Sequence, residues 1–224
     1  PQGITLDRDE ALRYVGYSGQ AISDELLERF ETLAQACERD LHPTGIWETF
    51  PAHDAALTGI LKGEAIANHL AGAREVALMA CTLGAESERE LRKHMALSSV
   101  DGVLYGACAS ALVEAVANAV EAQVVAAAAA RGLRTNFRYS PGYGDLPLDV
   151  QPALLGALGA TARTGIACTA DNFLLPTKSV TAIIGLFDAD TPVPGGRSAC
   201  ATCQLRTTCE LRRKGTPCHG HATR

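Results

Sequence analysis

The spacing of apolar residues changes character several times along the chain. In SDELLERFETLAQACERD, Leu26, Phe30, Leu33 and Cys37 recur at intervals of three and four and share one stripe. That pattern predicts an amphipathic helix ending before His42-Pro43. TGIWETF predicts a short strand, and LKGEAIANHLAG a helix that stops at Gly72. EVALMACTLG is apolar without interruption and includes β-branched residues, as a strand buried on both faces does. ESERELRKHM predicts a charged, exposed helix. From Val103 to Arg131, VLYGACASALVEAVANAVEAQVVAAAAAR reads as one helix closed by Gly132, roughly 40 Å long at about 1.5 Å per residue. Its small residues let neighbouring elements come close. Downstream, DVQPALLGALG predicts a helix with Asp149 near its start, RTGIACT and SVTAIIGLF predict strands, and DADTPVPGGRSA is a Pro/Gly-rich linker. The chain shows no internal repeats. These elements imply an α+β fold with a mixed or antiparallel sheet packed against long helices. The main domain spans 1–188, the linker 189–199 and a small Cys-rich module 200–224.

Composition narrows the function classes. With 224 residues, 47% hydrophobic and 20% charged, the chain can bury a substantial core. A net charge of −5 argues against broad nucleic-acid binding, which needs a basic face. The apolar stretches are interrupted by Glu, Asn or Gly, and no basic-then-apolar leader opens the chain. No membrane span is expected, and a cytoplasmic location is the default.

The 8 cysteines fall into two groups. Cys37, Cys81, Cys108 and Cys168 sit in apolar runs, where a free thiol acts as a small hydrophobe. Cys200, Cys203, Cys209 and Cys218 crowd the end with the spacing C-x2-C-x5-C-x8-C. Four thiolates can hold a [4Fe–4S] cluster or a tetrahedral zinc, and disulfide-linked or uncommitted thiols are the third reading. Arg206, Arg212, Arg213 and Lys214 would offset the thiolate charge, and His219 or His221 could replace one cysteine.

RYSPGYGDLP, Arg138 to Pro147, places two tyrosines and an arginine in a turn of a chain that is 5% aromatic. Ser140-Pro141-Gly142 reads as a tight turn, Pro fixing φ and Gly free to take a positive one. Such a turn leaves backbone groups facing outward beside a guanidinium and the Tyr143 ring. It suits a ligand with a carboxylate and a flat ring.

Arg138, Gly142 and Tyr143 form an R-x-x-x-G-Y signature. Together with EVALMACTLGAESEREL, ASALVEAVANAVEAQV, GIACTADNFLLPTKSVTAIIGL and the early DEALRYVGYSGQ, it resembles the S-adenosylmethionine-binding reactivation domain of cobalamin-dependent methionine synthase, in a free-standing form. The similarity covers roughly residues 5–188. It implies binding of S-adenosylmethionine and reductive methylation of cob(II)alamin on a partner, part of the methionine synthase reaction system. The partner would be the cobalamin-binding domain of methionine synthase or another corrinoid protein, with an electron donor such as flavodoxin or ferredoxin. Arg138 would hold the ligand carboxylate, and the Tyr139-Ser140 backbone would meet the adenine or ribose. Gly142 would shape the turn, Tyr143 would lie at the ligand and corrinoid face with a catalytic role, and Glu114 would sit near the ligand ammonium. The family's late tyrosine is replaced here by an aliphatic around Ile183-Ile184. Because the implied reaction needs a low-potential electron, an iron–sulfur tail fits it better than zinc. Two other classes stay open: an iron–sulfur reductive activator that does not use S-adenosylmethionine, and a zinc-stabilised docking scaffold.

DLHPTG, Asp40 to Gly45, also fits D-x-H-x-x-G, a pattern by which corrinoid domains supply histidine to cobalt. It follows a charged helix and no alternating strand–helix series comes after it, so His42 reads as part of a helix terminator.

Overall fold

The computed structural model describes residues 3–194. Along the chain come α1 (Arg8–Tyr14), α2 (Asp24–Asp40), β1 (Thr44–Pro51), α3 (Glu64–His69), β2 (Glu75–Thr82), α4 (Ala85–Leu97) and α5 (Ser99–Ala129). They are followed by β3 (Arg134–Thr135), α6 (Gln151–Leu158), α7 (Ala160–Thr164), β4 (Ala167–Cys168), β5 (Leu174–Leu175) and β6 (Ser179–Phe187). The main sheet has the order β1-β2-β6-β3, and every pair is antiparallel.

The sheet separates two apolar cores. On β2, Ala77, Met79 and Cys81 face the core built with α1, α2 and α5, while Val76, Leu78 and Ala80 face the core built with α6. On β6, Ala182, Ile184 and Leu186 join the first core and Ile183 the second. Successive strand residues point to opposite faces, so a sheet covered on both sides needs apolar residues at every position. That is why EVALMACT and AIIGLF show no alternation.

α5 begins four residues before the apolar pattern does, because Ser98 caps it by accepting from the Asp101 amide. At its other end Gly132 takes φ +72°, in the left-handed region that glycine adopts most easily. With 31 residues, α5 is by length and composition apolar enough to cross a membrane, contrary to the expectation from its Glu and Asn interruptions. In the fold it is a core helix, with 61% of its most apolar window buried among α1, α2, α4 and the sheet.

Other expectations are met in part. LKGEAIANHLAG forms only the short α3, entered through Gly63 at φ +109°. RTGIACT contributes only Ala167–Cys168, paired with Leu174–Leu175 in a ribbon apart from the main sheet. Left-handed residues Gly165 (φ +76°) and Asn172 (φ +63°) turn the backbone on either side of β4 and keep it short. α2 ends at Asp40 and Leu41 turns extended, which leaves His42 exposed ahead of β1 as the terminator reading expects. Cys37, Cys81 and Cys108 are free and buried, and burial pushes the Cys81 and Cys108 thiols up to about 12. They are inert packing groups at neutral pH.

The N-terminus is tied down by one arginine. Arg8 donates to Glu31 at 3.0 Å and to Glu38 at 2.9 Å, and Glu38 also accepts from the Leu6 amide at 2.9 Å. The bonds from Arg8 hold both carboxyls below their usual range. A carboxylate whose folded pKa is depressed stabilises the fold above its unfolded pKa of about 4.3 and loses that contribution as pH falls. Arg8→Met should therefore cost about 1–2 kcal/mol in urea unfolding at about pH 7, limited by the exposure of Glu31. The gap to wild type should close toward about pH 3, and a gap independent of pH would contradict the ion-pair account.

Candidate functional site

After β3 the chain continues along β6 as far as Tyr139. Tyr139 and Ile183 exchange both backbone hydrogen bonds at 2.9 Å. Between β3 and this bridge, Asn136 accepts from the Gly185 amide at 2.8 Å and donates to His69 O at 2.7 Å. His69 Nε2 lies 2.9 Å from Phe137 O. A carbonyl can only accept, so Nε2 carries the proton. Burial lowers the His69 pKa, and the bond to Phe137 partly opposes it.

At Ser140 the backbone leaves the sheet. The turn closes on itself through Gly142 N to Leu146 O at 2.8 Å, Tyr143 N to Ser140 O at 3.2 Å and Leu146 N to Tyr143 O at 3.0 Å. Gly142 sits at φ +93°, a conformation that strains any side chain. Asp145 anchors the turn to α3, accepting from the Glu64 and Ala65 amides at 2.7 and 3.0 Å. The Tyr139 ring packs 5.0 Å from His69 and 6.4 Å from Tyr143, beneath the loop.

This departure leaves β6 without a neighbour on one side. Ile183 turns its main-chain groups toward Tyr139, so Thr181 and Ser179, two and four residues earlier, turn theirs the same way, into the gap. The gap is a cleft of about 190 Å³ bounded by Glu114 of α5, Ser140 and Tyr143 of the turn, Gln151 of α6, and Ser179 and Thr181 of β6. Thr181 Oγ1 donates to Gln151 Oε1 at 2.7 Å. A second groove, of about 240 Å³ between α1 and α2, is lined mainly by apolar side chains such as Leu12, Ile22 and Phe30.

Arg138 faces away from β6 onto α5. Its guanidinium donates to Glu114 at 2.8 Å, Asn118 at 2.6 Å and Glu121 at 2.5 Å, and its amide donates to the other Glu121 oxygen at 3.1 Å. Glu114, Asn118 and Glu121 follow one stripe of the helix at i, i+4 and i+7. The Arg138 side chain is 20% exposed. Burial works against its charge, but the Glu121 and Glu114 carboxylates outweigh burial and raise its pKa.

Of the residues singled out in the sequence, Glu114, Ser140 and Tyr143 border the cleft, and Tyr143 is 56% exposed. Arg138 stands behind Glu114, Tyr139 supports the turn, and Gly142 shapes it. The expected contact between Arg138 and a ligand carboxylate meets two carboxylates already in place. Sequence reasoning missed Glu121, Gln151, Ser179 and Thr181. The last two had a signal, since they are polar at alternate positions of an otherwise apolar strand. Cys200, Cys203, Cys209 and Cys218 lie outside the described residues. Among the described residues, no group of three or more His, Cys, Asp or Glu could hold a metal.

Among solved structures, the fold matches the crystal structure of the MetH reactivation domain bound to AdoHcy, with a TM-score of 0.61. The match covers 84% of this chain and 75% of that one at 15% identity. The two proteins share a fold. No protein-family model and no curated protein matches the chain.

Asp145 caps α3 and pins the turn from one carboxylate. Asp145→Ala should lower stability by about 0.5–2 kcal/mol, as loss of a helix cap does, measured by thermal unfolding. An unchanged midpoint would mean the turn is held without it.

Proposed function

We propose that this protein binds S-adenosylmethionine across the cleft and supports reductive methylation of a corrinoid carried by a partner such as methionine synthase. The observation that carries the reading is the R-x-x-x-G-Y turn bordering an open sheet edge opposite Glu114, in the fold of a domain solved with AdoHcy, the demethylated form of that ligand. Glu114 lines the cleft as a carboxylate for the ligand's ammonium, and Arg138 holds it in place. The Ser140 and Thr181 backbones offer donors and acceptors to the polar edges of an adenine or ribose.

The cleft is smaller than the roughly 300–1,000 Å³ that usually encloses a drug-sized ligand. S-adenosylmethionine would therefore lie partly outside it. That suits a methyl donor that must be reached by a second protein. Bound on its partner, a reduced corrinoid supplies the nucleophile for the sulfonium methyl. This chain's part is to orient the ligand and to present a docking face. Tyr143, Phe173 and Leu175 are 56%, 59% and 40% exposed, and Leu174, between the last two, lines the cleft. Such a rim of exposed apolar side chains around a polar cleft suits a partner surface.

Arg138→Ala leaves Glu114 and Glu121 facing each other without their shared cation. Calorimetric titration should show S-adenosylmethionine binding weakened about tenfold, roughly 1.4 kcal/mol, because Glu114 is no longer held at the cleft wall. With a cob(II)alamin-loaded partner and a reductant, the wild-type protein should release S-adenosylhomocysteine and the variant should release less. Unchanged affinity and turnover in the variant would remove the turn from the site.

A further inference from the structure

The cleft passes the open edge of β6, from the face of the sheet covered by α5 to the face covered by α6. Its two ends differ in charge. At the α5 end stands Glu114, and at the α6 end Gln151, the first residue of that helix. Gln151 is uncharged and only 4% exposed. Its backbone is fixed because Val150, Leu154 and Leu158 bind this segment into the second core. Its side chain is fixed by Thr181, which is buried and, like Ile183 two residues on, faces α6.

Thr181 decides which way the carboxamide points. Its hydroxyl donates to Gln151 Oε1 at 2.7 Å and makes no other hydrogen bond among the described residues. Turned over, the amide would set Nε2 against that hydroxyl and leave the hydroxyl proton buried without an acceptor, which costs its full desolvation. Nε2 therefore points the other way, with two donors and no partner among the described residues. No buried side-chain nitrogen or oxygen among them is unpaired, so Nε2 is reached from outside. The opening that Gln151 lines is the cleft.

An uncharged donor suits the neutral end of a ligand whose cation is on Glu114. In a nucleoside amino acid that end is the nucleoside. Ribose hydroxyls both donate and accept, so main-chain groups of either kind satisfy them. Adenine has bare ring nitrogens that only accept, and a glutamine amide is a matched partner for such a ring edge. The Tyr143 ring, at the same cleft, gives the base a flat surface to lie on.

Resting on the reading of the cleft as an S-adenosylmethionine site, we propose that Gln151, oriented by Thr181, reads the adenine by donating from Nε2 to one of its ring nitrogens. Gln151 is then the residue that sets specificity for the base, at the end of the cleft opposite Glu114.

The test compares S-adenosylhomocysteine with its 1-deaza, 3-deaza and 7-deaza analogues by calorimetry, each analogue carrying C–H in place of one ring nitrogen. In the wild-type protein one analogue should bind about tenfold more weakly than the parent, the scale of one lost hydrogen bond. In the double variant Gln151→Met, Thr181→Val, both partners give way to apolar groups of similar shape, a change that folding tolerates well. There the parent should weaken to the level of that analogue, and the difference between the two should vanish. The proposal is overturned if wild type binds all four ligands equally, which needs no variant to fold. It is also overturned if the double variant keeps the wild-type difference. Wild-type protein that binds none of the four overturns the underlying reading of the cleft, an outcome distinct from any loss of discrimination among them.

Discussion

The site depends on the way the backbone leaves the sheet after Tyr139. Up to the Tyr139–Ile183 bridge, the segment following β3 satisfies the outer edge of β6; beyond it, that edge is open. The bond between Arg138 and Glu121 fixes the point of departure. One carboxylate holds both the amide and the guanidinium of the same residue, so side chain and main chain are locked to α5 together. Losing one partner of so enclosed a set leaves the others uncompensated, which is more costly than losing a surface pair. The opened edge, the turn above it and the polar stripe of α5 behind it are three sides of one cleft.

α5 has two tasks that conflict locally. It fills the larger core, and most of its surface is apolar and small for that reason. It also carries Ser110, Glu114, Asn118 and Glu121 along one line, and each is bonded to a residue outside the helix or to the helix backbone. Small residues resolve the conflict by letting the sheet approach closely. A Cβ on Gly45 of β1 would run into Val120. The cations that meet the stripe, Arg138 and Lys178, come from segments that follow α5 in the chain and return to pack beside it.

Much of the architecture was legible in the sequence, because α2, β1, β2, α5 and β6 are long and strongly patterned. β4, β5 and α3 were blurred because they are short, and their limits are set by left-handed turns at Gly63, Gly165 and Asn172. At the site, the turn was legible from its Gly and Pro residues, and Glu114 from the resemblance to the reactivation domain. Glu121 and Asn118 were not, because polar residues on an alanine-rich helix look like an ordinary solvated face. Gln151 and Thr181 meet only when α6 packs on the sheet, so no local pattern could pair them.

The central claim is that a nucleoside amino-acid ligand sits in the gap beside β6. The most direct measurement is a map of backbone amide NMR shifts on adding S-adenosylmethionine to the isotopically labelled protein. The account predicts saturable shifts confined to Glu114–Glu121, Arg138–Tyr143, Gln151 and Ser179–Thr181. An unchanged spectrum, or shifts gathered instead around the apolar groove between α1 and α2, would contradict it.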